Sequence, residues 1–200
     1  SSGTHVLEEG RPIGQFYGLV CNGIDENGRY IMVDKDGDGE ISDPADYDYI
    51  GSAQPKLTYG ITNTFRYKNF DLSFFLRGTI GNDILNATRM AYAQSGFLPG
   101  TNALDDPLTY TLSETPRFSN YYLEKGSFMR LDNLTLGYKT KALNGIRVYF
   151  TAQNLFVITK YKGLDPEVPM DSGDGLTPGV EPREFYPKAR TFSVGLNLNF

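Results

Sequence analysis

Three aspartates recur at every second position in the run Asp34-Lys35-Asp36-Gly37-Asp38-Gly39-Glu40-Ile41. These are the residue types of the first half of an EF-hand calcium loop. Carboxylates fall at loop positions 1, 3 and 5, Gly39 at position 6 permits the sharp turn, and Glu40 at position 7 offers its backbone carbonyl. Position 12 of such a loop is normally a bidentate Glu but is Ala45 here, with Asp43, Asp46 and Asp48 nearby as substitutes. Three like charges so close together repel unless a cation or solvent neutralises them. Two readings follow. One is a structural Ca2+ site drawing on Asp34, Asp36, Asp38, Glu40, Asp43 and Asp46. The other is a solvated acidic turn whose Asp and Gly serve turn geometry. The chain offers little other chemistry. Its single His (His5) and single Cys (Cys21) leave no histidine-based or multi-cysteine site and no internal disulfide. No nucleophile–base pair or phosphate loop is singled out by spacing, so no catalysis and no organic cofactor are expected. A net charge of -5 disfavours nucleic acid as a partner.

The elements that must carry the acidic turn read as strands. In residues 191–200 every even position is apolar and every odd one is small or polar, the period of a β-strand. The run closes on Phe200, a terminus typical of outer-membrane barrels, where it serves as an assembly signal; the alternative is the edge strand of a soluble sandwich. Four more segments alternate in the same way, at 57–67, 70–80, 128–139 and 146–153. Their lengths suit tilted strands crossing a bilayer, which need about 9–11 residues. No apolar run reaches the ~18 residues of a membrane helix, and no signal peptide opens the chain. A mean hydropathy of -0.37 fits a barrel, because half of each strand faces a polar lumen.

The connections alternate in length. Lys68-Asn69 joins the first two strands as a two-residue hairpin, and Asn144-Gly145 marks a short turn at 140–145. Residues 81–127 and 154–190 are long loops. Short turns on the periplasmic side and long loops outside are the outer-membrane pattern. The reading is therefore all-β: the last strands of a large antiparallel transmembrane barrel. Residues 1–56 form an external loop region with a possible strand at 12–20, ahead of barrel strands in 57–200. Phe192, Val194, Leu196, Leu198, Phe74 and Leu76 are expected to face lipid. Ser193, Asn197, Arg77 and Gln153 are expected to face the lumen. A short helix is expected near 82–92. Tyr121-Tyr122 reads either as a membrane-interface anchor or as a sugar-stacking platform. So few strands cannot close around a polar lumen, so the chain alone is not expected to be a soluble monomer.

Several segments in order then carry a resemblance. They are Gly10-Arg11-Pro12-Ile13-Gly14-Gln15-Phe16-Tyr17-Gly18, the acidic run, Ile50-Gly51-Ser52-Ala53-Gln54-Pro55-Lys56 and Tyr67-Lys68-Asn69-Phe70-Asp71-Leu72-Ser73. Downstream come Leu123-Glu124-Lys125-Gly126-Ser127-Phe128-Met129-Arg130-Leu131, then Gln153-Asn154-Leu155 through Tyr161-Lys162-Gly163-Leu164-Asp165-Pro166-Glu167, and Tyr186-Pro187-Lys188-Ala189-Arg190. Together they resemble the carboxy-terminal region of the SusC/RagA family of TonB-linked outer-membrane transporters, over nearly the whole chain from about Gly10. The resemblance implies a 22-stranded barrel with an amino-terminal plug, of which this chain would be the final quarter or less. It also implies uptake of oligosaccharides or oligopeptides. The implied partners are a SusD-like surface lipoprotein, the TonB complex acting through the missing amino-terminal part, the barrel assembly machinery and membrane lipid. The alternative is a calcium-stabilised surface β domain that folds alone and binds a ligand or partner.

Overall fold

The computed structural model describes residues 3–96, 98–100, 102–140, 145–168, 177–183 and 186–198. Phe200 and the Asn144 half of the second short turn lie outside them. Chain order runs β1 (Gln15–Leu19), β2 (Cys21–Ile24), β3 (Tyr30–Met32), β4 (Tyr47–Ser52), β5 (Leu57–Tyr67), β6 (Phe70–Ile80) and β7 (Asp83–Leu85). Helices α1 (Ala87–Tyr92) and α2 (Pro107–Thr111) and a 3-10 turn (Asn120–Tyr122) precede β8 (Leu123–Lys125), β9 (Phe128–Lys139), β10 (Arg147–Thr159) and β11 (Thr191–Asn197).

The long strands form one antiparallel sheet in the order β11-β10-β9-β6-β5. The alternation predicted from sequence becomes continuous rows. Phe65, Leu72, Leu136, Phe150 and Val194 are successive cross-strand partners on one face, and Thr64, Ser73, Thr135, Thr151 and Ser193 form the neighbouring row on the other. The apolar rows are solvent-exposed in the isolated sheet, Val194 at 75% and Leu196 at 63%. Water would not tolerate such a patch on a monomer; a bilayer requires it. Phe70 and Tyr138, with ring centroids 4.8 Å apart, end the apolar face near the short turns. Lys68 takes the left-handed conformation (φ 53°) that a two-residue hairpin demands. Aromatic rings cover strand glycines: Phe75 lies over Gly60 and Tyr149 over Gly195.

Two bulges depart from simple alternation. The first adds Asp132 to β9 opposite Phe75 and Leu76, so that Leu131 pairs with Leu76 and Arg130 pairs with Arg77. Counting back by twos from Leu134 would send Arg130 to the lipid face; the bulge turns it to the inner face. The second lies between Gln153 and Phe156, with Asn154 at φ 50°. It lets β10 continue to Thr159, past the 146–153 predicted from sequence, and the following loop begins at 160 rather than 154.

The hydrophobic core lies in the loops. Phe16 and Ala53 from the first 56 residues pack with Leu85, Ala87, Ala93, Leu108 and Tyr122 from the 81–127 connection. The two stretches read separately from sequence thus share one core, which caps the sheet at the end opposite the Lys68-Asn69 turn. Small sheets β1-β4, β2-β3 and β7-β8 frame this cap. The predicted helix at 82–92 begins only at Ala87, where the Asn86 side chain accepts the Arg89 amide; Asp83–Leu85 instead pairs with Leu123–Lys125. Tyr122 is neither a membrane anchor nor a sugar platform. It is fully buried, with its hydroxyl 2.5 Å from that of Tyr30. Burial pushes its phenol well above the ordinary tyrosine range.

Candidate functional site

The structure brings Asp34, Asp36 and Asp38 together, each offering a carboxylate oxygen within 4.8 Å of the others. Local Asx-type bonds build the turn. Gly37 and Gly39 donate backbone N–H to the two Asp34 oxygens (2.6 and 2.9 Å), Asp38 to Asp36 Oδ1 (3.1 Å) and Glu40 to Asp38 Oδ1 (2.8 Å). Gly37 and Gly39 adopt φ 79° and 88°, which a Cβ would strain. The nearby carboxylates Asp43, Asp46 and Asp48 are turned elsewhere. Asp46 is buried and accepts the Lys35 amide at 2.6 Å and the Ser42 amide at 2.7 Å, closing the loop from its far side. These bonds, from Ser42 first and then Lys35, hold its carboxyl below the usual carboxylate range. Asp43 pairs with Arg117 at 2.9 Å. Asp48 pairs with Lys35 at 3.2 Å. The donor set present is therefore three carboxylates on an exposed turn, with Asp46 as the staple beneath it.

A second charged constellation sits on the inner face of the sheet and went unnoticed as a site in the sequence. After β10 the chain doubles back and lays Asp165-Pro166-Glu167 against the wall. Arg130, 3% exposed, bonds Asp165 Oδ1 at 2.5 Å. Arg77 holds Glu167 through two bonds of 2.6 and 3.0 Å and Asp132 at 3.1 Å. Lys188 closes on Glu167 from the returning chain. Three cations thus meet three carboxylates. Burial tends to raise Glu167, but Arg77 and Lys188 outweigh it and keep its carboxyl ionised below the ordinary value. The strap is also tied to the cap. Glu181, 1% exposed, accepts the Leu164 amide and the Thr88 amide, both at 3.2 Å. Tyr161 is buried beside it, and burial with the nearby Glu181 charge pushes its phenol far upward. The available sequence signal was two arginines on paired strands and an Asp-Pro-Glu run after the second bulge, but the Asp132 bulge concealed their shared face.

An exposed apolar face, a polar inner face, short turns at one end and a packed cap at the other define a section of a large antiparallel outer-membrane barrel. Its relatives agree. The TonB-dependent receptor P3 of Formosa agariphila is 34% identical over 98% of this chain, and the chain spans 23% of that protein. The TonB-dependent receptor SusC of Bacteroides thetaiotaomicron is 39% identical over 88% of the chain, which spans 18% of it. Among solved structures, the RagAB peptide importer in its closed-closed state matches 92% of the chain at TM-score 0.70 and 26% identity, and 23% of that chain is covered. Its open-open state matches at TM-score 0.68 and 25% identity, over 93% of this chain and 22% of that one. No protein-family model matches. The chain belongs to the SusC/RagA family of TonB-dependent outer-membrane receptors and forms part of the barrel. It spans about a quarter or less of the relatives it matches.

Proposed function

We propose that the whole protein of which this chain is part imports oligosaccharides or oligopeptides across the outer membrane, together with a SusD-like surface lipoprotein and driven by the TonB complex. The likeness to SusC and to the RagAB peptide importer carries this reading. In it, the five-stranded sheet is a stretch of barrel wall. The cap is its external face, and the strap narrows the lumen from the wall side. Affinity purification of the tagged full-length receptor tests the partnership: a surface lipoprotein should co-purify in near-equal amount. Recovery of the receptor alone from gently solubilised membranes would refute it. Substrate class is read by uptake of labelled oligosaccharide and peptide pools in cells carrying or lacking the receptor.

We also propose that Asp34, Asp36 and Asp38, with the Glu40 carbonyl, hold one calcium ion that stiffens the external loop. The convergence of the three carboxylates supports this reading. With Asp43 and Asp46 engaged elsewhere, the remaining ligands would be water, and the affinity would be in the range of extracellular modules, about 10⁻⁴–10⁻³ M. Calorimetry on the full-length receptor should show calcium binding that Asp36→Ala abolishes. No heat at millimolar calcium leaves the solvated turn.

A further inference from the structure

At the cap end of the sheet, on its lipid-facing side, lies a cleft of about 460 Å³. Tyr59, Ile80 and Ile158 give it apolar walls, with Ile80 and Ile158 about half exposed. Gly78 seats the Tyr59 wall. A Cβ there would strike the Phe128 carbonyl and the Tyr59 hydroxyl, and in its absence Tyr59 leans across the strand to donate to Phe128 O at 3.4 Å. Lys125, the last residue of β8, and Lys160, just past the end of β10, also line the cleft. Lys125 is 77% exposed while touching Asp83 at 2.7 Å. Lys160 makes no ion pair among the described residues. A bilayer covers this face, and here an apolar groove ends in two cations at headgroup level.

We propose that this cleft binds one lipopolysaccharide molecule of the outer leaflet. An acyl chain lies between Tyr59 and Ile158, and a lipid A phosphate is held by Lys125 and Lys160. The choice follows from the site's position at the cap end, which the proposed function places outside the cell. The phosphorylated saccharide lipid of that leaflet supplies both the apolar chain and the anion that the groove matches. A lysine at a membrane surface contributes enough to change anionic lipid affinity about fivefold, so losing both should weaken binding about 25-fold.

The test uses the full-length receptor extracted from outer membranes, with folding verified by its heat-modifiable gel mobility. Native mass spectrometry should show one lipid A-bearing adduct on the wild type. The adduct should be lost in K125A/K160A and kept in K68A/K139A, which removes two lysines at the opposite rim. Delipidated receptor is then titrated with bisphosphorylated lipid A, dephosphorylated lipid A and phosphatidylglycerol. Preference for the bisphosphorylated form, lost in K125A/K160A, is the expected result. Equal retention in the two double variants, or equal binding of dephosphorylated lipid A, would overturn the proposal. Phosphatidylglycerol binding as tightly as lipid A would overturn it too, and would show an inner-leaflet or unselective site. None of these readouts depends on transport, so the lipid site can fail while the import reading stands.

Discussion

Neutralising Asp165 should release the strap from the barrel wall. In Asp165→Asn the side chain keeps its size but loses its charge, and Arg130 stays 3% exposed with its main partner gone. Removing one member of a buried ion pair costs about 3–5 kcal/mol, chiefly because the other charge is left uncompensated. At 1.36 kcal/mol per factor of ten, that is about two to four orders of magnitude in an opening equilibrium. Arg77 still holds Glu167 from the neighbouring strand, so the lower end of that range is the better figure. The loss should be local. Hydrogen exchange on the full-length receptor in lipid, read by mass spectrometry, should accelerate at least a hundredfold for the Leu164 and Glu167 amides, which are bonded to Glu181 and Asp165. Amides of β6 and β9 should keep their protection. Arg130→Met with Asp165→Leu removes both charges and should recover most of the loss at the Leu164 amide, whose acceptor Glu181 is untouched, since an apolar replacement of a buried pair is often neutral. Acceleration below tenfold in Asp165→Asn, or a double variant as loose as the single one, would refute the assignment of this pair as the latch.

Other tests address the cap and the lipid face. Val194→Arg should cost about 2–4 kcal/mol if the site lies near mid-bilayer, whereas Ser193→Arg on the inner face should fold; assembly into membranes, read by gel mobility, compares them. Tyr122→Ala should destabilise the cap by about 3–5 kcal/mol through loss of a fully buried ring, and limited proteolysis between 86 and 122 should then become rapid. Asp46 sets a pH dependence. Its folded pKa lies below the unfolded value, so its contribution is fully present above the ordinary carboxylate pKa and is lost as pH falls through the folded one. Loop 34–47 should therefore open on acidification, followed by hydrogen exchange, and Asp46→Asn should remove that dependence.

The wall was legible in the sequence because it obeys one rule. Because every second residue must satisfy lipid, the side-chain period of two is unbroken on β6 and β11, and on β5 Asn63 alone interrupts the apolar row. Legibility stopped where the rule is interrupted. Asp132 shifts β9 by one residue, and no local property of Phe128-Met129-Arg130-Leu131 announces it. The shift becomes evident only once Arg130 is seen opposite Arg77 with carboxylates to meet both. Asn154 hides the last six residues of β10 in the same way. The acidic turn was readable as a turn, because Gly37 and Gly39 serve backbone geometry. The distinct role of Asp46 was not, since a carboxylate stapling two amides has the same composition as one awaiting a cation.

The cap escaped prediction for a different reason. Its core is assembled from Phe16, Ala53, Leu85, Ala87, Leu108 and Tyr122, isolated apolar residues scattered from position 16 to position 122 with no period. Only long-range pairing brings them together, as when Leu85 donates to Gly179 O and Asn86 to Tyr122 O. That arrangement has a mechanical consequence. The strap is anchored twice, to the wall through Arg77 and Arg130 and to the cap through Glu181. Wall and cap are therefore coupled by buried charges rather than by a hinge. A segment fixed this way behaves as frame. In the proposed import role, motion that opens a transport path must then fall to elements not pinned here, or must first break the Arg130–Asp165 bond, whose cost the exchange experiment measures directly.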